Sequence, residues 1–216
     1  MDKQLEKSLK VLSWFNRPRR SKTSVFDDKI FVHNDLMYST DGKIFCWTEN
    51  QTGIKDFCFF KGKKFEFYDP KAREVKEALQ SGDNLERIIK MFNYYPLEFD
   101  VDFSDYPLPF THKLMGNWKN RYFNDNSLFL DFETAEATFK FCGGEDKPGG
   151  VTGIYGDIVK NITGTKTKTD KIGFPMCYLK VMSILKVKKI HFKFYPERRL
   201  LSFKIGNYNF LAMAEH

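Results

Sequence analysis

Two carboxylates one residue apart, Asp131 and Glu133, stand where the apolar run Leu128-Phe129-Leu130 ends. Carboxylates held at a strand end can clamp divalent cations, which activate a water and steady a leaving oxygen. Asp146, Asp157 and Asp170 follow, and no aspartate occurs after Asp170. The glycines at 143–150 and the run Gly164-Thr165-Lys166-Thr167 lack the G-x-x-x-x-G-K-[ST] order of a phosphate loop. His191 has no carboxylate beside it in sequence, and Ser202 has no nucleophile-elbow context. Cys46, Cys58, Cys142 and Cys177 show no metal-type spacing with the four histidines and read as reduced core residues. No metal or other cofactor is expected.

The cations form a better-organised set. Over residues 3–15, at 100° per residue, Leu5, Leu9 and Leu12 fall on one side of a helix and Lys3, Lys7 and Lys10 on the other. A basic loop follows, with Arg17, Arg19 and Arg20 around Pro18, which ends the helix. A second group, Lys113, Lys119 and Arg121, lies on a predicted helix over 113–123, and a third, Lys180, Lys186, Lys188 and Lys189, lies on or just after a predicted helix over 177–187. If these helices line one surface, that surface is cationic and meets phosphates without reading bases.

Composition sets the class. The 216 residues carry a formal charge of +7, with 42% hydrophobic and 29% charged residues, which is ordinary for one large or two smaller globular domains. A basic balance permits a polyanionic partner without requiring one. The 23 phenylalanines sit mostly in alternating runs, which favours β structure with an aromatic core. No stretch approaches the roughly 20 apolar residues of a membrane span, and the N-terminus has no apolar signal core. The sequons at Asn50 and Asn161 are read as chance.

The elements that must position the cations follow from periodicity. After the first helix come strands at 29–32, 36–39 and 44–48, two more at 57–60 and 64–68, and helices at 71–80 and 85–92. Residues 97–103 alternate Leu97, Phe99, Val101 and Phe103 with Glu98, Asp100 and Asp102, a half-buried strand with an acidic outer face. Two prolines in Tyr106-Pro107-Leu108-Pro109-Phe110 favour an extended crossing near the midpoint. Beyond it, strands are predicted at 128–132, 137–141, 154–159 and 171–174, then the helix over 177–187 and three strands at 189–195, 201–205 and 208–214. Turns at Pro196-Glu197-Arg198-Arg199 and Gly206-Asn207 make those three an antiparallel meander. Each half reads as helix, strands, helix, strands.

That last helix and meander, closing in Tyr208-Asn209-Phe210-Leu211-Ala212-Met213-Ala214, resembles the final half-domain of DNA sliding clamps, and Leu36 to Gly42 is similar to the corresponding strand and turn. The resemblance implies an α+β chain of two similar clamp-like domains, 1–103 and 113–216, joined by a linker at 104–112, each with helices packed on antiparallel sheets. It implies a non-enzymatic processivity factor, cytoplasmic in a bacterial or phage-infected cell or nuclear in a eukaryote, that holds duplex DNA through the cations named above. A DNA polymerase and a clamp loader are the implied protein partners, with Tyr106, Leu108, Phe110 and Met213 as the partner-binding residues. Three copies, each with four half-domains, would supply a ring of about twelve. Two alternatives stay open. Leu128 to Thr134 is similar to the first motif of DEDD 3′–5′ exonucleases, which implies a metal-dependent nuclease using Asp131 and Glu133, and a clamp fold can also serve a binding protein that never encircles DNA.

Overall fold

In the computed structural model the described residues are 2–15, 29–33, 35–40, 44–56, 58–61, 64–67, 97–105, 127–131, 136–141, 151–155, 159–163, 171–175, 180–196 and 199–213. They fall in two units: Met1–Tyr94 with Asn207–Leu211, and Tyr95–Gly206 with Ala212–His216.

The first unit opens with helix α1 (Lys3–Leu12), which begins where Asp2, in extended conformation, accepts a hydrogen bond from the Gln4 N–H at 3.2 Å. That N-cap satisfies one of the donors a helix start leaves open. The helix stops at Leu12 rather than running to residue 15, because Trp14 and Phe15 bond back three residues, to Val11 and Leu12, and tighten the last turn. Its buried side carries Leu5, Ser8, Leu9, Val11 and Leu12.

Five strands follow: β1 (Ile30–His33), β2 (Leu36–Thr40), β3 (Ile44–Glu49), β4 (Cys58–Lys61) and β5 (Lys64–Phe67). With β14 (Tyr208–Met213), whose residues through Leu211 belong to this unit, they form an array in the order β14-β3-β2-β1-β4-β5, antiparallel from β3 to β5. Period-2 alternation gives the sheet two different faces. One carries Ile30, Val32, Met37, Ser39, Ile44, Cys46, Thr48 and Cys58, all buried. On the other, Phe31, Tyr38 and Phe59 make an aromatic cluster against half-buried Phe45 and Trp47. Phe31 and Tyr38 are direct cross-strand partners, and their rings stack at 5.3 Å. Burial pushes the Cys46 thiol well up and the Cys58 thiol to about 11, the latter helped by Asp56, so both stay protonated and unreactive near neutrality.

Among the described residues the second unit holds two sheets. Strands β6 (Leu97–Asp102), β10 (Val159–Thr163), β12 (Lys189–Tyr195) and β13 (Leu200–Ile205) lie in the order β10-β6-β12-β13. β6, which the sequence places at the close of the first half, is thus a central strand here, antiparallel to both neighbours. Their inward residues form the core: Phe99, Val101, Ile190, Phe192, Phe194, Leu201, Phe203 and Ile205. Phe99 and Phe192 face one another in register and stack at 5.3 Å, 10° from parallel. Helix α2 (Lys180–Leu185) lies beside β13 and buries Val181 and Met182. The other sheet runs β11-β7-β8-β9, from β11 (Lys171–Pro175), β7 (Ser127–Asp131), β8 (Glu136–Phe141) and β9 (Val151–Tyr155). The single strand expected at 154–159 is in fact the end of β9 and the start of β10. The helices expected at 71–80, 85–92 and 113–123 lie outside the described residues. Among the described residues no helix is long and apolar enough to cross a membrane.

Candidate nucleic-acid interface

Lys3, Lys7 and Lys10 are all exposed on α1. At 100° per residue they fill an arc of about 60° and span about 10 Å of helix axis. What fixes the direction of that arc is a set of buried hydroxyls. Ser39 of β2 donates to the Leu12 carbonyl at 2.7 Å, satisfying a C-terminal acceptor of the helix. Ser8, fully buried, donates to Gln51 Oε1 at 2.9 Å and lies 3.0 Å from the Tyr208 hydroxyl on β14. Phe15, just past the helix, meets Phe210 edge to face at 5.5 Å. Each contact turns the leucine side inward and so the lysines outward. The sequence had one sign of this, since Ser8 is a small hydroxyl within the apolar arc of the helical wheel.

In the second unit the described cations are of two kinds. Lys186 and Lys188 are exposed just past α2. Val187 N–H donates to the Met182 carbonyl at 2.9 Å, and Lys186 sits at φ +58°, which is a Schellman ending with lysine in the left-handed position that glycine usually fills. A β-carbon there costs about 1 kcal/mol. Lys186→Gly is therefore expected to raise the unfolding free energy of this unit by about 1 kcal/mol, read as a higher urea midpoint.

Lys189 differs from both. Being the first residue of β12, it falls with His191 and Lys193 on the polar face of the sheet, opposite Asp102, Asp100 and Glu98 of β6. Lys189 Nζ lies 3.1 Å from Asp100, Lys193 Nζ lies 2.9 Å from Glu98, and His191 lies between, with Nδ1 3.1 Å from Asp100 and Nε2 3.1 Å from Glu98. Asn161 of β10 adds a 2.6 Å donation to Asp100. The acidic face expected of residues 97–103 is thus matched by cations from the neighbouring strand. The Lys193 hydrogen bond holds the Glu98 carboxyl below its ordinary range. For Asp100, burial pushes upward, but donation from Asn161, Lys189 and His191 outweighs it and the net direction is down.

A carboxyl lowered by folding stabilises fully above its unfolded value, about 4, and stops doing so as pH falls through its folded value. Asp100→Asn is expected to cost about 1–3 kcal/mol at pH 7 and less near pH 3. Urea unfolding at both pH values tests it, and an equal loss at both would refute the assignment.

The remaining sequence-assigned residues divide simply. Arg17, Arg19, Arg20, Lys113, Lys119, Arg121, Tyr106, Leu108 and Phe110 lie outside the described residues. Lys180 opens α2. Met213 ends β14 with 51% exposure, the one large hydrophobic so exposed among the described residues. Asp131 ends β7, paired with Lys171 and Glu136, while Glu133 lies outside the described residues. Among the described residues no group of three His, Cys, Asp or Glu side chains is placed to hold a metal ion. The amides of Asn50 and Asn161 are both committed, to the Ile54 carbonyl and to Asp100.

No family model and no curated protein sequence matches the chain. Its fold does match solved structures. The beta sliding clamp of C. crescentus aligns at 12% identity with a TM-score of 0.59, over 99% of this chain and 64% of that one. DNA polymerase III subunit beta from Borrelia burgdorferi aligns at 11% and 0.56, over 99% and 61%, and that from Pseudomonas aeruginosa at 10% and 0.56, over 99% and 64%. The chain spans less than two thirds of the length of these proteins. Antiparallel sheets with few helices, aligned over nearly the whole chain with beta clamps, give this protein the DNA sliding-clamp fold.

Proposed function

We propose that the chain is a clamp-like processivity factor that holds duplex DNA without reading its sequence and tethers a DNA polymerase. The observation that carries this reading is the Lys3, Lys7, Lys10 stripe, exposed on a helix whose orientation is locked by Ser8 and Ser39 within a clamp fold. Lysines so held offer point charges to phosphates, and an attraction with no base contact lets the duplex slide. Lys186 and Lys188 extend the cationic set in the second unit, and the basic residues at 17–20, 113, 119, 121 and 180 complete it. Lys189 belongs to the set only in part, since Asp100 already neutralises it.

On this reading the protein is not an enzyme. It assembles with copies of itself, three in a closed ring, and works wherever the replicating DNA is, in a bacterial or phage-infected cytoplasm or a nucleus. Met213, with Tyr106, Leu108 and Phe110, receives the polymerase or a loader. The test is retention on nicked circular duplex against the same DNA made linear. Loss from the linear form alone supports encirclement, equal retention on both supports one-sided binding, and binding to neither removes the DNA reading and leaves a clamp-fold binding protein. Mg²⁺-dependent digestion of DNA that disappears in Asp131→Ala would instead favour the nuclease.

A further inference from the structure

We infer that three lysines on the face of the first unit's sheet turned away from α1 form a second polyanion contact, one that takes the phosphodiester backbone of a nucleic-acid strand. Strand register sets them in a row. Lys61, the last residue of β4, stands directly opposite Lys64, the first of β5. On the other side of β4, Ile30 stands opposite Phe60, so the next pair outward brings Lys29 opposite Lys61. The three lie side by side across neighbouring strands, about 4.8 Å from one strand to the next and about 10 Å from end to end. Lys61 and Lys64 are exposed and Lys29 is half-buried.

The same register fixes the face they occupy. Lys29 is two residues from Phe31 and Lys61 is two residues from Phe59, so both share the side of those rings. Lys29 Nζ lies 5.0 Å from the centre of the Phe59 ring, whose negative face favours a cation there. α1 lies against the opposite face, where Ser39 donates to its Leu12 carbonyl. The two cationic surfaces of this unit therefore look in opposite directions. Across β3, β2, β1, β4 and β5 the next row inward on the lysine face is Trp47, Tyr38, Phe31, Phe59 and Glu66, four aromatic rings and a single carboxylate.

That arrangement is unfavourable in the free protein, and the reason identifies the ligand. Like charges directly opposite one another on a sheet repel, and Lys61 has one on each side. A polyanion laid along the row turns the repulsion into attraction. An extended acidic peptide presents at most one carboxylate per about 6.8 Å on one face, whereas a nucleic-acid strand carries one phosphate per about 3.4 Å of helix axis. Three ammonium groups within about 10 Å match the denser of the two. Lysines meet phosphates as point charges, so the contact reads no bases.

The full chain is titrated with a labelled single-stranded oligonucleotide and, separately, with a duplex of the same length, each over a salt series. Lys61→Gln with Lys64→Gln removes two exposed charges and should flatten the slope of log K against log salt by about 1.4 on the single strand or about 1.8 on the duplex. At about 0.1 M salt those are losses of about 25-fold and 60-fold, and the form that shows the change is the one the row holds. Lys61→Arg with Lys64→Arg should keep the slope. Lys55→Gln with Lys204→Gln, which removes the same charge from exposed sites elsewhere, should also keep it. Without nucleic acid the urea midpoint of the Lys61, Lys64 glutamine pair should rise, since the repulsion is gone. An unchanged slope on both nucleic acids, even with weakened binding of a polyglutamate peptide, would overturn the inference, as would an equal loss in the Lys55, Lys204 control or a lower midpoint. Repeating the titrations in protein carrying Lys3→Gln, Lys7→Gln and Lys10→Gln reads the two surfaces separately, so either can fail while the other stands.

Discussion

Removing residues 207–216 is expected to unfold the first unit, although that unit is otherwise built from the N-terminal part of the chain. The deleted segment carries Tyr208, Phe210 and Leu211, which are 5%, 0% and 7% exposed, and the Asn207 carbonyl that accepts from Thr48 at 3.0 Å. At about 1.5–3 kcal/mol for each large buried side chain, the apolar loss alone is about 5–9 kcal/mol. That equals the whole stability of many domains of this size. It also strips the ring that Phe15 packs against and leaves Ser8 without the Tyr208 hydroxyl. The expected result is loss of dispersed amide resonances from residues 2–67, with most of those from the β6, β12 and β13 core retained. A truncated chain whose first unit keeps its resonances and its urea midpoint would show that β14 is an accessory strand. Phe210→Ala is the milder version, expected to cost about 3–5 kcal/mol.

The second large effect is on DNA. If Lys3, Lys7 and Lys10 each neutralise one phosphate, replacing all three with Gln should flatten the slope of log K against log salt by about 2.7. At about 0.1 M salt that is a loss on the order of several hundredfold in duplex affinity. Stability should hardly move, because all three side chains are exposed and exposed substitutions usually stay within about 0.5 kcal/mol. The reciprocal control changes what lies beneath the helix. Ser39→Ala leaves every lysine in place but removes the hydroxyl that satisfies the Leu12 carbonyl, so it should lower stability by about 1–2 kcal/mol with the salt slope preserved. A triple variant with the wild-type slope would move DNA contact away from α1 altogether.

Much of this architecture was legible because it is written in short-range periodicity. The three-and-four spacing of Leu5, Leu9 and Leu12 predicted both the helix and the side its lysines occupy, and the alternation in 189–195, 201–205 and 208–214 predicted three strands close to their observed bounds. Bounds were weaker where the pattern is ambiguous. The apolar residues across 151–163 do not show that two strands divide near 156–158.

What periodicity cannot specify is which strand lies beside which, because every amphipathic strand offers the same backbone bonds to any neighbour. Lys186, Lys188 and Lys189 read as one basic cluster along the chain. Only the pairing of β12 with β6 revealed that Lys189 stands against Asp100, and that His191, with no acid near it in sequence, bridges two carboxylates more than ninety residues away.

The residue types alone determined a mostly antiparallel α+β chain, a cationic helix at its start and a meander at its end, since these depend on how neighbouring side chains divide between water and core. Tertiary structure decided that the last strand completes the first unit's sheet, that buried hydroxyls aim the lysine stripe, and which lysines are already matched by acids. Those outcomes rest on contacts between residues far apart in sequence, whose partners are selected by packing and by satisfying buried polar groups and not by any local preference.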